Sequence, residues 1–99
     1  MMNIVKTQQE AALTIALEGR LDTTTAPQLE AELGAALAGV TELIFDFAKL
    51  EYISSAGLRV LLAAQKTMNK QGKMVLHNVC AEIQEVFEIT GFSDILTVE

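Results

Sequence analysis

The sequence predicts a single α/β domain, a mixed β-sheet of four to five strands with helices packed mainly on one face. Three observations predict it. The 99 residues are the length of one domain, and about half of them are hydrophobic, enough for one core. Apolar residues alternate with period two near the start of the chain. Further on, short aliphatic runs take turns with helix-period stretches that open at Ser, Thr or Asn and stop at Gly.

The order read is β-β-α-β-α-β-α-β. Residues 2–7 form a first strand, with Met2, Ile4 and Lys6 on one face and Asn3, Val5 and Thr7 on the other. Gln8, Gln9 and Glu10 make a hairpin turn. Residues 11–18 form a second strand whose Leu13, Ile15 and Leu17 share a face, the mark of a sheet covered on one side. Gly19 to Thr24 is a loop. The first helix starts with Thr25 as N-cap, Pro27 in its first turn and Gln28 three residues past the cap, as in a capping box. Leu29, Leu33 and Leu37 follow every four residues. Glu30 and Glu32 lie near the positive end, and Gly39 stops the helix.

Residues 42–47 are a third strand. Leu43 to Phe47 is almost continuously apolar, which fits a central position. Ala48 to Ile53 reads as a connector anchored by Leu50 and Ile53. A second helix opens near Ser55 or Ala56 and runs to about Gln71, with Leu58, Leu61, Leu62 and Met68 on one stripe and Arg59, Lys66 and Lys70 mostly on the other side. Gly72 ends it, and residues 73–77 are the next strand. Asn78 caps a third helix that turns Ile83, Val86 and Phe87 inward and Glu82, Glu85 and Glu88 outward. Gly91 stops it and Phe92 folds back over its last turn. Residues 95–98 are a last short strand or an extended tail.

The net charge of −6 repels nucleic acid and anionic membranes and attracts a basic protein surface. The single cysteine, Cys80, excludes an intrachain disulfide and reads as a small hydrophobe between Val79 and Ala81. No apolar run approaches the roughly 18 residues that span a bilayer. The opening Met-Met-Asn-Ile-Val-Lys lacks a signal-peptide pattern, so a cytoplasmic protein is expected. No His or Cys cluster has metal-ligand spacing and no phosphate-binding Gly-rich loop occurs, so neither metal nor cofactor is expected. His77, the only histidine, ends the fourth strand and reads as structural rather than catalytic. A monomer is expected, with no coiled-coil pattern or long apolar edge.

The most informative stretch runs from Asp46 to Leu58. A strand ends in an acidic residue, a short loop follows, and Ile53-Ser54-Ser55-Ala56-Gly57-Leu58 opens a helix. A helix N-terminus presents unpaired N–H groups and about half a positive charge, a favourable place for a phosphate. Gly57 would let a partner approach the backbone closely. On spacing alone the two serines are better read as plain helix caps.

This stretch resembles the signature of the STAS domain family, named for sulfate transporters and anti-sigma factor antagonists. The matching residues are Asp46-Phe47 and Ile53-Ser54-Ser55-Ala56-Gly57-Leu58. Gly19-Arg20-Leu21-Asp22-Thr23-Thr24-Thr25-Ala26 is similar to the family's loop before its first helix, and the likeness covers essentially the whole chain. For a stand-alone bacterial member the resemblance implies a non-enzymatic switch. The unphosphorylated antagonist binds an anti-sigma factor that is also a serine kinase; phosphorylation releases it, and a serine phosphatase resets it. The phosphorylated residue maps to Ser55. Ser54 stands where many antagonists have Asp, which leaves Ser54 as the alternative acceptor. The implied partner surface comprises Asp22, Thr23, Ser54, Ser55, Gly57 and Arg59. Asp46 either bonds the Ser55 turn or accepts from backbone N–H groups locally. Two other readings remain: a STAS subunit of a lipid-transport or stress-sensing complex without a regulatory phosphoserine, and a small hydrolase using Ser55.

Overall fold

The computed structural model describes residues 2–99. Strands β1 (Met2–Gln9) and β2 (Ala12–Leu21) precede helix α1 (Ala26–Ala36). Strand β3 (Glu42–Ile53), helix α2 (Ser55–Gln71), strand β4 (Lys73–His77) and helix α3 (Ala81–Thr90) follow, and a 3-10 turn covers Phe92–Asp94. The sheet order is β1-β2-β3-β4. β1 and β2 are antiparallel, whereas β2, β3 and β4 are parallel to one another, so the sheet is mixed.

The alternation in β2 works as expected. Leu13, Ile15 and Leu17 are fully buried, and register sets Leu43 and Phe45 of β3 and Met74 and Leu76 of β4 on the same face. Ile83 and Phe87 of α3 join the cluster that holds Leu29 and Leu33 of α1 and Leu58, Leu61 and Met68 of α2. All three helices therefore cover one face, and Phe45 and Phe47 fill its centre with ring centroids 5.9 Å apart.

Several boundaries move for physical reasons. β1 continues to Gln9, and the hairpin turns on Glu10, which has φ 56°. β2 runs on to Leu21, so the loop before α1 begins only at Asp22. The expected connector at residues 48–53 is the second half of β3. Its pairing with β2 shifts register twice, between Ala16 and Glu18 and between Gly19 and Arg20. Each shift places an extra residue on β3, and each bulge re-aims the side chains that follow. Burial beyond Phe47 recurs at Leu50 and Ile53, every third residue, which hides a strand from a search for period two.

Asn78 does not cap α3. It adopts φ 60° and its amide donates to Asp46 Oδ1 at 2.9 Å, while Cys80, partly buried against the core, occupies the N-cap. The last expected strand is a single parallel bridge. Leu76 N–H donates to the Thr97 carbonyl at 2.8 Å, and Glu99 N–H donates to the Leu76 carbonyl at 2.9 Å, so the tail lies along the outer edge of β4.

Gly72 ends α2 because nothing larger fits. A Cβ there would stand 1.8 Å from the Thr41 carbonyl oxygen. One residue earlier, the Gln71 amide donates to the carbonyls of Leu37 at 2.7 Å and Val40 at 2.6 Å, pinning the C-terminal ends of α1 and α2 together. No helix among the described residues is long and apolar enough to cross a membrane.

Candidate partner-binding site

Parallel strands deliver their following loops to one end of a sheet. β2 ends at Leu21 and β3 at Ile53, paired with each other, and the next residues are Asp22 and Ser54. The Ser54 N–H donates to the Leu21 carbonyl at 2.9 Å, which brings the Asp22 loop and the opening of α2 side by side.

The Asp22 loop is rigid by its own chemistry. Asp22 Oδ1 accepts from the Thr24 N–H at 3.0 Å and the Thr25 N–H at 3.1 Å. Thr25, only 6 % exposed, does not cap α1 with its hydroxyl as expected. It donates to the Arg20 carbonyl at 2.7 Å and accepts from the Asp22 N–H at 2.9 Å, bracing the loop against β2. The Thr25 N–H bond chiefly, with those of Thr24 and the Thr25 hydroxyl and the nearby Arg20 charge, outweighs desolvation and holds the Asp22 carboxyl below its usual range. Thr23 is exposed at the tip.

The two serines have different tasks. Ser54 is the N-cap of α2, half-buried, and its Oγ accepts from the Gly57 N–H at a long 3.4 Å. Ser55 is the first helical residue and is exposed, and its hydroxyl has no hydrogen-bond partner among the described residues. The Ser55 and Ala56 N–H groups precede the first intrahelical donor, so they too face outward unpaired. Arg59, one turn on, is exposed.

Gly57 differs from expectation, and Asp46 takes the second of its two expected roles. Gly57 is buried, and a Cβ on it would come within 2.7 Å of Leu21 and 2.9 Å of Ile53. Its missing side chain makes room for the chain's own packing, not for an approaching partner. Asp46 lies mid-strand because β3 continues past it. Its Oδ1 accepts from the Asn78 amide and from the Ala48 N–H at 3.0 Å, so it serves the β4–α3 corner and not the Ser55 turn. Asn78 first, then Ala48, lowers its carboxyl below the usual range. His77 faces Asp46 across the β3–β4 register and lies 3.7 Å from Glu99.

Two neighbours were not legible as site residues. Arg20 stacks over the Tyr52 ring at 4.2 Å and reaches within 3.8 Å of Asp22. The bulges place Tyr52 opposite Arg20, and nothing in the local pattern announces that pairing. Tyr52 is 41 % exposed, so the pair extends the surface around the Asp22 loop.

The chain matches the STAS domain over residues 3–99. It belongs to the STAS family. A Bordetella bronchiseptica protein named "Putative anti-sigma factor antagonist BtrV" is 39 % identical over 99 residues, covering 98 % of this chain and 85 % of that one. An anti-sigma factor antagonist of Mycobacterium paratuberculosis has the same fold, with TM-score 0.89 at 21 % identity over 99 % of this chain and 85 % of that one. The Bacillus cell fate determinant SpoIIAA, in its phosphorylated form, superposes with TM-score 0.77 at 22 % identity over 98 % of this chain and 91 % of that one. STAS antagonists are regulatory protein-binding domains rather than enzymes.

Proposed function

We propose that this STAS domain is a cytoplasmic anti-sigma factor antagonist switched by phosphorylation of Ser55. Unphosphorylated, it binds an anti-sigma factor that is also a serine kinase and so frees the sigma factor. The kinase transfers the γ-phosphoryl group of ATP to Ser55 Oγ. The bond to the ADP oxygen breaks, and the hydroxyl proton passes to a base on the kinase. A serine phosphatase returns the hydroxyl by hydrolysis.

The observation that carries this reading is the exposed, unpartnered Ser55 hydroxyl on the first residue of α2, beside the Asp22 loop. Two free N–H groups and the positive end of the helix favour a phosphate there, so the fold tolerates the modification. A partner that has packed over a neutral hydroxyl does not tolerate a group carrying roughly 1.5 to 2 negative charges. Ser54 is the weaker acceptor because its oxygen is already engaged as a cap. The STAS membership and the relatives named as antagonists support the antagonist reading.

Mass spectrometry after incubation with the kinase and ATP tests it. One added phosphate is expected in the wild type and in Ser54→Ala, and none in Ser55→Ala. Loss of the gain in Ser54→Ala alone moves the site to Ser54. Recovery of transporter subunits in place of a kinase would assign the domain to a different complex.

A further inference from the structure

The surface around Ser55 continues down the molecule. Helices α1 and α2 both leave the same end of the sheet and are pinned together at their far ends by Gln71. Between them lies an open groove of about 440 Å³ with an aliphatic floor of Leu33, Leu37, Val60 and Ala64. Small residues on its walls, Gly34 and Ala63, keep it open. Gly34 sits inside a helix, where glycine is a weak choice, and a Cβ on it would meet nothing within 4 Å. No contact within the chain calls for that glycine.

The outer edge of the groove along α2 is positive. Arg59, Lys66 and Lys70 share the side of α2 that begins at Ser55, one helical step from the lining residues Ala63 and Thr67. The chain's other cations each lie within ion-pair distance of a carboxylate: Lys6 of Glu32, Arg20 of Asp22, Lys49 of Glu18 and Lys73 of Glu42. No ion pair among the described residues engages the three on α2, and α2 contains no Asp or Glu. Glu30 lines the opposite, α1 edge.

We propose that this groove receives an amphipathic segment of the protein that binds the Ser55 end. Its aliphatic side chains seat between α1 and α2, and its carboxylates meet Arg59, Lys66 and Lys70. The inference rests on the antagonist reading and adds the chemistry of the partner's second contact. Continuity with the Ser55 surface favours one protein for both. An apolar floor offers nothing to a phosphodiester backbone, and the net charge of −6 opposes nucleic acid. A second copy could present Glu85, Glu88 and the exposed Ile89 of α3. That head-to-tail contact uses two different surfaces and so does not close into a simple dimer.

Calorimetric titration with the purified cognate anti-sigma factor tests this with Gly34→Leu and with Lys66→Glu/Lys70→Glu, neither of which alters the Ser55 end. Each is expected to weaken binding about tenfold or more, with Gly34→Leu melting no lower than wild type. The double charge reversal should also remove much of the salt dependence of binding. If Gly34→Leu melts early, Ala63→Leu on the facing wall makes the same test. Unchanged affinity in a folded groove variant overturns the groove assignment and leaves the antagonist reading standing. Failure of the wild type to bind overturns both. Self-association of the wild type that Gly34→Leu abolishes assigns the groove to a second copy and overturns the proposal.

Discussion

The Ser54 N–H and the Leu21 carbonyl, 2.9 Å apart, join the two loops that make the candidate surface. Because the bond is backbone to backbone, no side-chain substitution removes it directly. It fixes the Asp22 loop relative to the opening of α2 whatever residues decorate either one. Substitutions at the surface therefore separate into those that change chemistry and those that change the helix opening.

The two serines should divide along that line. Ser54→Ala removes the cap that bonds the Gly57 N–H and should lower stability by about 0.5–1 kcal/mol. Ser55→Ala removes an exposed hydroxyl without an internal partner and should change stability by less than about 0.5 kcal/mol. Urea unfolding measures both. An equal loss in the two variants would mean that Ser55 also supports the turn.

The same substitution should act with opposite sign at two glycines. Gly34→Ala places a methyl group in open space inside α1 and should stabilise the domain by about 0.5–1 kcal/mol. Gly72→Ala drives a methyl group into the Thr41 carbonyl, which cannot give way without moving backbone. A loss of about 3 kcal/mol is expected there. Thermal melts of the pair decide it, and stabilisation by Gly72→Ala would show that Gly72 does not press against the Thr41 carbonyl.

Gln65 carries a correctable cost. It is 7 % exposed, its Nε2 donates to Asn69 Oδ1 at 2.9 Å, and its buried Oε1 has no partner. Gln65→Met keeps the length and removes the orphaned oxygen, at the loss of one helix-surface hydrogen bond. A gain of about 1 kcal/mol in urea unfolding is expected. A loss would indicate that the oxygen holds a water.

The acid limb of stability should report Asp22 and Asp46. Hydrogen bonds to each carboxylate lower its folded pKa below the unfolded value. Each contribution is therefore complete above the ordinary aspartate value, about 3.9, and fades as pH falls through the lower folded value. Titration of side-chain carboxyl carbons by NMR should place both midpoints below that ordinary value. In Asn78→Ala only the Asp46 midpoint should rise. A midpoint at or above the ordinary value for Asp22 would show that the Thr24 and Thr25 N–H groups do not bond it.

Local signals located what local forces decide. The Ser-Ser-Ala-Gly opening, the leucine spacing and Gly72 set both ends of α2, because capping, helix periodicity and steric exclusion act over a few residues. The second half of β3 was not legible. Its identity rests on pairing with Glu18 to Leu21, and two extra residues erase the alternation that would reveal it. A strand that runs to Ile53 rather than stopping at Phe47 leaves Asp46 in mid-strand, away from the Ser55 turn, where it accepts from the local Ala48 N–H. The inward role of Gly57 and the stacking of Arg20 on Tyr52 depend on contacts distant in sequence, which spacing within one segment does not encode.

The tail beside β4 has a consequence for how the molecule keeps to itself. A sheet margin with free amides and carbonyls is an invitation to another chain, and Thr97 to Glu99 occupy the Leu76 positions on that margin with two backbone bonds. Removing those three residues would uncover a parallel template beside Met74, Val75 and Leu76, the buried middle of β4, and aggregation should set in at lower concentration than with the tail in place.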